Sequence, residues 1–355
     1  MVPKNNAPTS LGSTSVASSS APVKNALNLE VEHAVFTHPE LFGEFPTTTY
    51  DPIPELPYVD RALKADPSFK NLLADATVTH LEPKIGTEIS NLQLHELTDS
   101  QKDELALLVA QRAVVFFRDQ KISIEDQLAL GRYYGPLHVH QTVAHAKGTP
   151  QVHVVENLLG DSEKRIKTQA LEPVNLWHSD VSYERQPPSY TSFKVLTTPP
   201  TGGDTLWASA YEAYDRLTPQ FKKFAEAESA IANGKTLRRP IVGFEHPVVR
   251  THPVTGRKAL YVNAQFTTRI NNLSAAESGS FFLLVSTSIL RFLHQHIAQG
   301  HEFQVRYRWT KDAVAIWDNR ATVHYATYDY LPGNRHAVRV TPRGETPYSE
   351  ITNEP

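Results

Sequence analysis

The residues with the clearest chemical potential are His178 and Asp180, in the stretch Asn175-Leu-Trp-His-Ser-Asp-Val-Ser-Tyr183. If that stretch is extended, the period of two in a strand sends both side chains to one face and Ser179 to the other. One imidazole beside one carboxylate is two-thirds of the 2-His-1-carboxylate set, which holds non-haem Fe(II) on one face and leaves the opposite positions open for substrate and O2. The third ligand would be a histidine from far along the chain. Among 16 histidines, a His-x-Asp arises about once by chance at ordinary aspartate frequencies. An exposed or core-satisfied His178 is therefore a standing alternative that other residues must decide.

The end of the chain bears on it. Ala313-Val-Ala-Ile-Trp317 reads as an apolar strand running into the turn Asp318-Asn-Arg320 and then Val323-His324. The chain reverses at Leu331-Pro-Gly-Asn334 and returns as Arg335-His-Ala-Val-Arg-Val340, where Arg335, Ala337 and Arg339 share one face. That face is either solvated or buried, and two buried arginines require anions. Suppose His178, Asp180 and His324 hold Fe(II). Three coordination positions then remain, and a 2-oxo acid fills two of them with its keto oxygen and adjacent carboxylate, gives up electrons by decarboxylation, and leaves one for O2. Its far carboxylate needs a fixed cation, and Arg335 offers a planar, permanently charged fork. Arg339 is left for a second anion, the substrate. His138-Val-His140 puts two more imidazoles at strand spacing, although a strand end with partly exposed histidines is the plainer reading.

Composition narrows the classes. There is no cysteine, so disulfides, thiolate nucleophiles and zinc-thiolate sites are excluded, and any metal must be held by nitrogen and oxygen. At 40% hydrophobic and 21% charged residues, the chain is composed like an ordinary soluble globular protein. A net charge of -3 and only a small basic cluster, Lys235, Arg238 and Arg239, give no nucleic-acid footprint. The apolar stretch from Phe281 to Leu293 is too short to span a bilayer. No secretory apolar region follows Met1, so a cytoplasmic protein is expected. A small anionic organic substrate is the expected partner, with neither nucleic acid nor membrane, and the chain is expected to work as a homo-oligomer.

The positioning elements read as follows. Residues 1–25 are Ser-rich and expected to be disordered, and 26–76 form a Pro-dotted arm packing on the core. A domain at 77–345 follows, with a tail at 346–355. Within it, strands are expected at Thr77 to Leu81, Ala113 to Phe117, Gln151 to Glu156, Tyr190 to Leu196, Val242 to Arg250, Leu260 to Val262 and Gln304 to Trp309. Asp99 or Ser100 is expected to cap a helix running to Arg112. Further helices are expected at Ile124 to Tyr134, Ala210 to Ala227 with Pro219 starting its second part, and Ser274 to Gln299. The polar insert Gly160 to Gln169 lies where a lid would sit. The result is a mainly β fold with inserted helices.

Trp177-His-Ser-Asp180, Thr201-Gly-Gly-Asp-Thr-Leu-Trp207, Ile316-Trp-Asp-Asn-Arg-Ala-Thr-Val-His324 and Arg335 with Arg339 together resemble the taurine dioxygenase family of Fe(II)/2-oxoglutarate oxygenases, in its fungal sulfonate dioxygenase branch. The resemblance covers about residues 77 to 345. It implies a double-stranded β-helix, a relative of the jelly roll and cupin folds. It also implies Fe(II) as cofactor, with 2-oxoglutarate and O2 as co-substrates, and His178, Asp180 and His324 as iron ligands. Thr205 and Arg335 would bind the distal carboxylate of 2-oxoglutarate, and His140, the backbone N–H of Val181, and Arg339 would hold a sulfonate. Thr205 as a plain turn residue and His140 as a structural hydrogen-bonder are the competing readings. Where the bacterial taurine enzyme places an Asn and a Tyr near the substrate's amine, this chain has Val174 and Val143, which puts taurine itself in doubt. The implied reaction hydroxylates the carbon beside a sulfonate and releases sulfite, an aldehyde, succinate and CO2. The alternatives are the same iron chemistry on an alkyl sulfate, a carboxylate or an amino acid, and a catalytically silent cupin-like binding protein. Against the last, all three ligands and Arg335 are present.

Overall fold

Two neighbouring strands, Val114–Phe117 and Val314–Asp318, send alternate apolar side chains to opposite faces of one sheet. Val115, Phe117, Val314 and Ile316 pack on one side with Leu105 and Val109 of the helix Asp99–Arg112. Val114, Phe116, Ala315 and Trp317 pack on the other with Trp207, Val305 and Tyr307 of a second sheet. This period of two is what a sheet buried on both faces requires. The computed structural model describes residues 35–46, 54–140, 143–156, 173–233, 243–271, 280–330 and 333–350. The Ser-rich tail, the polar insert 160–169, the basic cluster at 235–239 and residues 274–279 of the expected long helix lie outside them.

Among the described residues the larger sheet has nine strands, in the order Gly43–Glu44, His145–Ala146, Thr149–Glu156, His336–Val340, Tyr190–Thr197, Val314–Asp318, Val114–Phe117, Thr87–Ser90, Thr77–His80. The smaller sheet joins Gln304–Tyr307, Thr205–Ser209 and Thr322–Ala326. The two lie face to face. Phe116 stacks on Tyr307 with ring centroids 4.0 Å apart, and Trp207 stands edge-on to Phe116 at 5.2 Å and to Trp317 at 5.6 Å. On the outer side of the smaller sheet, Leu206, Ala208, Val323 and Tyr325 meet Leu290, Leu293 and Ile297 of the helix Ser280–Ala298. A sandwich of this kind with helices on its outer faces is the jelly-roll core that the sequence led us to expect.

Three expectations need correction. The first helix is capped by Thr98, not by Asp99 or Ser100: Thr98 and Gln101 form a capping box, each side chain bonding the other's backbone N–H. The segment expected as one strand from Val242 to Arg250 is two, Gly243–Pro247 and Val249–Thr251, in different sheets. His138 to His140 is no strand, and an isolated bridge between Leu137 and Pro342 precedes it.

A buried ionic cluster ties distant segments to the turn that precedes His324. The Arg320 guanidinium donates to Asp318 Oδ1 and Oδ2 at 2.8 and 2.7 Å, to Asp60 Oδ2 at 2.6 Å and to Glu345 Oε2 at 3.3 Å. Tyr190 donates its hydroxyl to Asp60 at 3.0 Å, beneath the Arg320 guanidinium. His252 Nε2 lies 2.9 Å from Asp318 Oδ2. Burial by itself would raise the Asp318 carboxyl, but Arg320 and His252 hold it well below the usual carboxylate range. Arg320 is 1% exposed, so its charge depends on these carboxylates for compensation.

Candidate active site

His324 sits on the inner face of the smaller sheet, because its neighbours Val323 and Tyr325 face outward to the helix Ser280–Ala298. His178 is its bridge partner. The His178 N–H donates to His324 O at 3.0 Å, and the His324 N–H donates to His178 O at 2.8 Å. The extended geometry expected for 175–183 is confined to the residues around this bridge, since Pro173–Leu176 is a 3-10 helix. A turn begins at Asp180, and Val181 takes φ 39°, a left-handed conformation that is strained for a β-branched residue. His178 and Asp180 face one another as the i, i+2 spacing predicts, while Ser179 bonds Asn319 instead. His178, Asp180 and His324 each offer one atom within 4.8 Å of the others'. Asp180 Oδ1 lies 3.8 Å from His178 Nε2 and 3.7 Å from His324 Nε2.

The protonation states suit a cation. His178 Nδ1 stands 2.8 Å from Leu176 O, so Nδ1–H donates there and Nε2 keeps its lone pair towards Asp180. Burial lowers His178 and, with His178 alongside, pushes His324 down to about 3. Burial would raise Asp180, but Arg339, His324, His178 and the Thr191 hydroxyl hold it well below the ordinary range. Two neutral imidazoles and one ionised carboxylate are the forms in which metal ligands bind, and the N2O donor set fits Fe(II).

A supporting layer that the sequence reading missed is centred on Asn319, 1% exposed. Its Nδ2 donates to Thr191 Oγ1 at 2.8 Å, and Thr191 Oγ1 donates to Asp180 Oδ2 at 2.9 Å. Its Oδ1 accepts from Trp317 Nε1 at 3.0 Å and from the Asp180 N–H at 3.3 Å, while its carbonyl accepts from Ser179 Oγ at 2.6 Å. One amide thus fixes both the carboxylate orientation and the turn that carries it, the role outer partners play around metal ligands. The available signal was an Asn between an apolar strand and a histidine, where an ordinary turn would have sufficed.

Arg335 and Thr205 form a second cluster between the sheets, 3% and 4% exposed. The Arg335 guanidinium lies over the Phe193 ring at 5.5 Å, and its Nη2 is 3.5 Å from Thr205 Oγ1. Trp309 Nε1 donates to the same hydroxyl at 3.0 Å. An oxygen that accepts from both sides turns its own proton outward, so Thr205 and Arg335 both have donors that can meet an anion. The Gly202-Gly203 pair makes this approach possible at φ +77° and +71°. A Cβ on Gly203 would lie 3.3 Å from Arg335 Cδ, and one on Gly202 would lie 2.9 Å from Asp329 Oδ1.

Arg339 lies beside Asp180. Its Nη1 donates to Asp180 Oδ1 and its Nη2 to His153 Nδ1. The face carrying both arginines therefore turns inward rather than to solvent, with Arg335 buried and Arg339 partly buried. His140, Val181 and Arg339 line one cavity with Asp180, His138 and His153. Of these, His153 was not anticipated from sequence. A larger cavity of about 570 Å³, around Asn71, Gln93 and Arg118, shares no residue with this one.

A family model described as "Taurine catabolism dioxygenase TauD, TfdA family" matches residues 77–341. The chain belongs to this family. It is an Fe(II)-dependent dioxygenase that uses 2-oxoglutarate, also called α-ketoglutarate, and O2. It is 40% identical over 326 residues to an alpha-ketoglutarate-dependent sulfonate dioxygenase of Saccharomyces cerevisiae, covering 86% of this chain and 77% of the relative. It is 39% identical over 331 residues to the alpha-ketoglutarate-dependent dioxygenase cnsM of Penicillium expansum, covering 86% and 90%. The crystal structure of a taurine dioxygenase from Burkholderia xenovorans superposes with a TM-score of 0.66 at 30% identity, covering 77% of this dioxygenase and 93% of that chain. The jelly-roll expectation is borne out by this likeness and by the facing sheets. No described helix is long and apolar enough to cross a membrane.

Proposed function

We propose that this dioxygenase holds Fe(II) with His178, Asp180 and His324, takes the far carboxylate of 2-oxoglutarate on Arg335 and Thr205, and oxidises the carbon beside a sulfonate. The hydroxylated product loses its C–S bond to give sulfite and an aldehyde, with succinate and CO2 from the co-substrate. Bound Fe(II) supplies the oxidising chemistry of O2 driven by 2-oxo acid decarboxylation. The residues do the rest. Arg335 and Thr205 orient one anion, while Arg339, His140 and the Val181 N–H orient another beside Asp180. The observation that carries the reading is the reach of the Arg339 guanidinium to Asp180 Oδ1, the oxygen that both imidazoles face. It sets a permanent cation one ligand away from the reacting centre.

A second reading keeps the same iron chemistry for an alkyl sulfate, a carboxylate or an amino acid. It is supported by Val143 and Val174, which offer no polar partner to an amine, and by the near-equal identity to cnsM, whose name carries no sulfonate. Incubation with Fe(II), 2-oxoglutarate and a panel of sulfonates, sulfate esters and amino acids, with succinate and sulfite followed separately, decides between them. Sulfite in step with succinate on a sulfonate supports the first reading; succinate on a carboxylate or amino acid, with no sulfite from any sulfonate, selects the second. In the same assay Arg339→Ala should raise the KM for the anionic substrate by roughly 30-fold or more, as expected for losing one partner of a buried charge pair. An unchanged KM would place the substrate elsewhere.

A further inference from the structure

From the pairing of strands Thr149–Glu156 and His336–Val340 we infer that His153 is the positioning residue that sets the guanidinium of Arg339 for substrate, an inference resting on the reading that Arg339 meets the substrate anion. His153 and Arg339 are directly opposed across this antiparallel pair. Arginine has donors only, so the His153 Nδ1 that faces Nη2 is the acceptor, and the imidazole is neutral with its proton on Nε2. With Asp180 on Nη1, the guanidinium is held from two sides and its plane is fixed. Ordering a free arginine side chain costs up to about 2 kcal/mol of rotamer entropy. A lock present before substrate arrives removes that cost from binding.

The surroundings point to Arg339 rather than to packing. Val152 and Val154, on either side of His153, are buried in the apolar cluster of the opposite face, so the sheet is anchored without it. The His153 ring instead meets the His140 ring at 5.4 Å, and His140 meets His138 edge-on at 5.9 Å. All three line the cavity that holds Arg339 and Val181. An aliphatic residue at 153 would serve the strand equally well, whereas the guanidinium needs the nitrogen acceptor.

The test compares three variants. His153→Leu should raise the KM for the best anionic substrate about 10-fold while kcat, the 2-oxoglutarate KM and the melting temperature stay near wild type. His153→Asn, whose Oδ1 replaces Nδ1 as acceptor, should recover most of the loss. If Arg339→Ala raises the substrate KM but His153→Leu does not, or if Asn rescues no better than Leu, the positioning role is overturned. If Arg339→Ala leaves the KM unchanged, it is the reading of the site that fails. Nitrogen-15 NMR of the histidine-labelled wild-type protein gives an answer that does not depend on the variants folding. An unprotonated Nδ1 on His153 is expected, and a protonated Nδ1 would overturn the inference.

Discussion

Replacing His178 with alanine is expected to abolish Fe(II)-dependent succinate formation while leaving the fold in place. The two effects separate because the bridge between His178 and His324 is made by backbone groups, at 3.0 and 2.8 Å, and survives loss of the side chain. What disappears is one of the two neutral nitrogens facing Asp180 Oδ1. Loss of an outer partner alone costs about 10- to 100-fold in metal affinity, so removing a direct ligand should exceed that. Fe(II) titration followed by quenching of tryptophan fluorescence is a direct measure, since Trp317 lies 4.9 Å from the His324 ring. Unchanged circular dichroism with metal binding lost is the expected pair of results. Retained turnover would remove His178 from the proposed ligand set.

Arg335→Gln should raise the KM for 2-oxoglutarate on the order of 100-fold, equivalent to about 2.7 kcal/mol, and leave the substrate KM within a few-fold of wild type. The buried guanidinium lies against Phe193 with Thr205 beside it, in a place where a carboxylate would be desolvated and depend on the charge. Glutamine keeps part of the donor geometry and removes the charge, so the loss reports chiefly on electrostatics. Steady-state kinetics with each reactant varied in turn checks it. The opposite pattern, with the substrate KM raised and the 2-oxoglutarate KM unchanged, would mean that the roles of Arg335 and Arg339 are exchanged.

Much of the site was legible because its residues follow local rules. Arg335, Ala337 and Arg339 share a face by strand periodicity, and that face turns inward, burying Arg335 and Ala337 and partly burying Arg339. His178, Asp180 and His324 were chosen by type and spacing, and they converge. His178 and Asp180 meet at the expected i, i+2 spacing, but the turn that follows, with a strained Val181, was not legible, because periodicity cannot signal a positive φ in a β-branched residue. Asn319 and His153 escaped because their importance lies in partners 128 and 186 residues away, Thr191 and Arg339. Local pattern reports which way a side chain points, not which strand lies beside it. The helix cap at Thr98 was readable in principle, since Thr98 and Gln101 stand at capping-box spacing, but the neighbouring Asp99 and Ser100 are equally good caps by type.

The Arg320 cluster makes the span matched by the family model an unsafe place to cut. A fragment trimmed to 77–341 would leave Arg320 with Asp318 alone and discard two of its three carboxylates, Asp60 and Glu345. Breaking such a pair costs about 3–5 kcal/mol, against a total stability of roughly 5–15 kcal/mol for a folded chain. The segments flanking the span 77–341 thus supply counter-charges for the very turn that delivers His324, and recombinant pieces lacking them are expected to aggregate rather than bind iron.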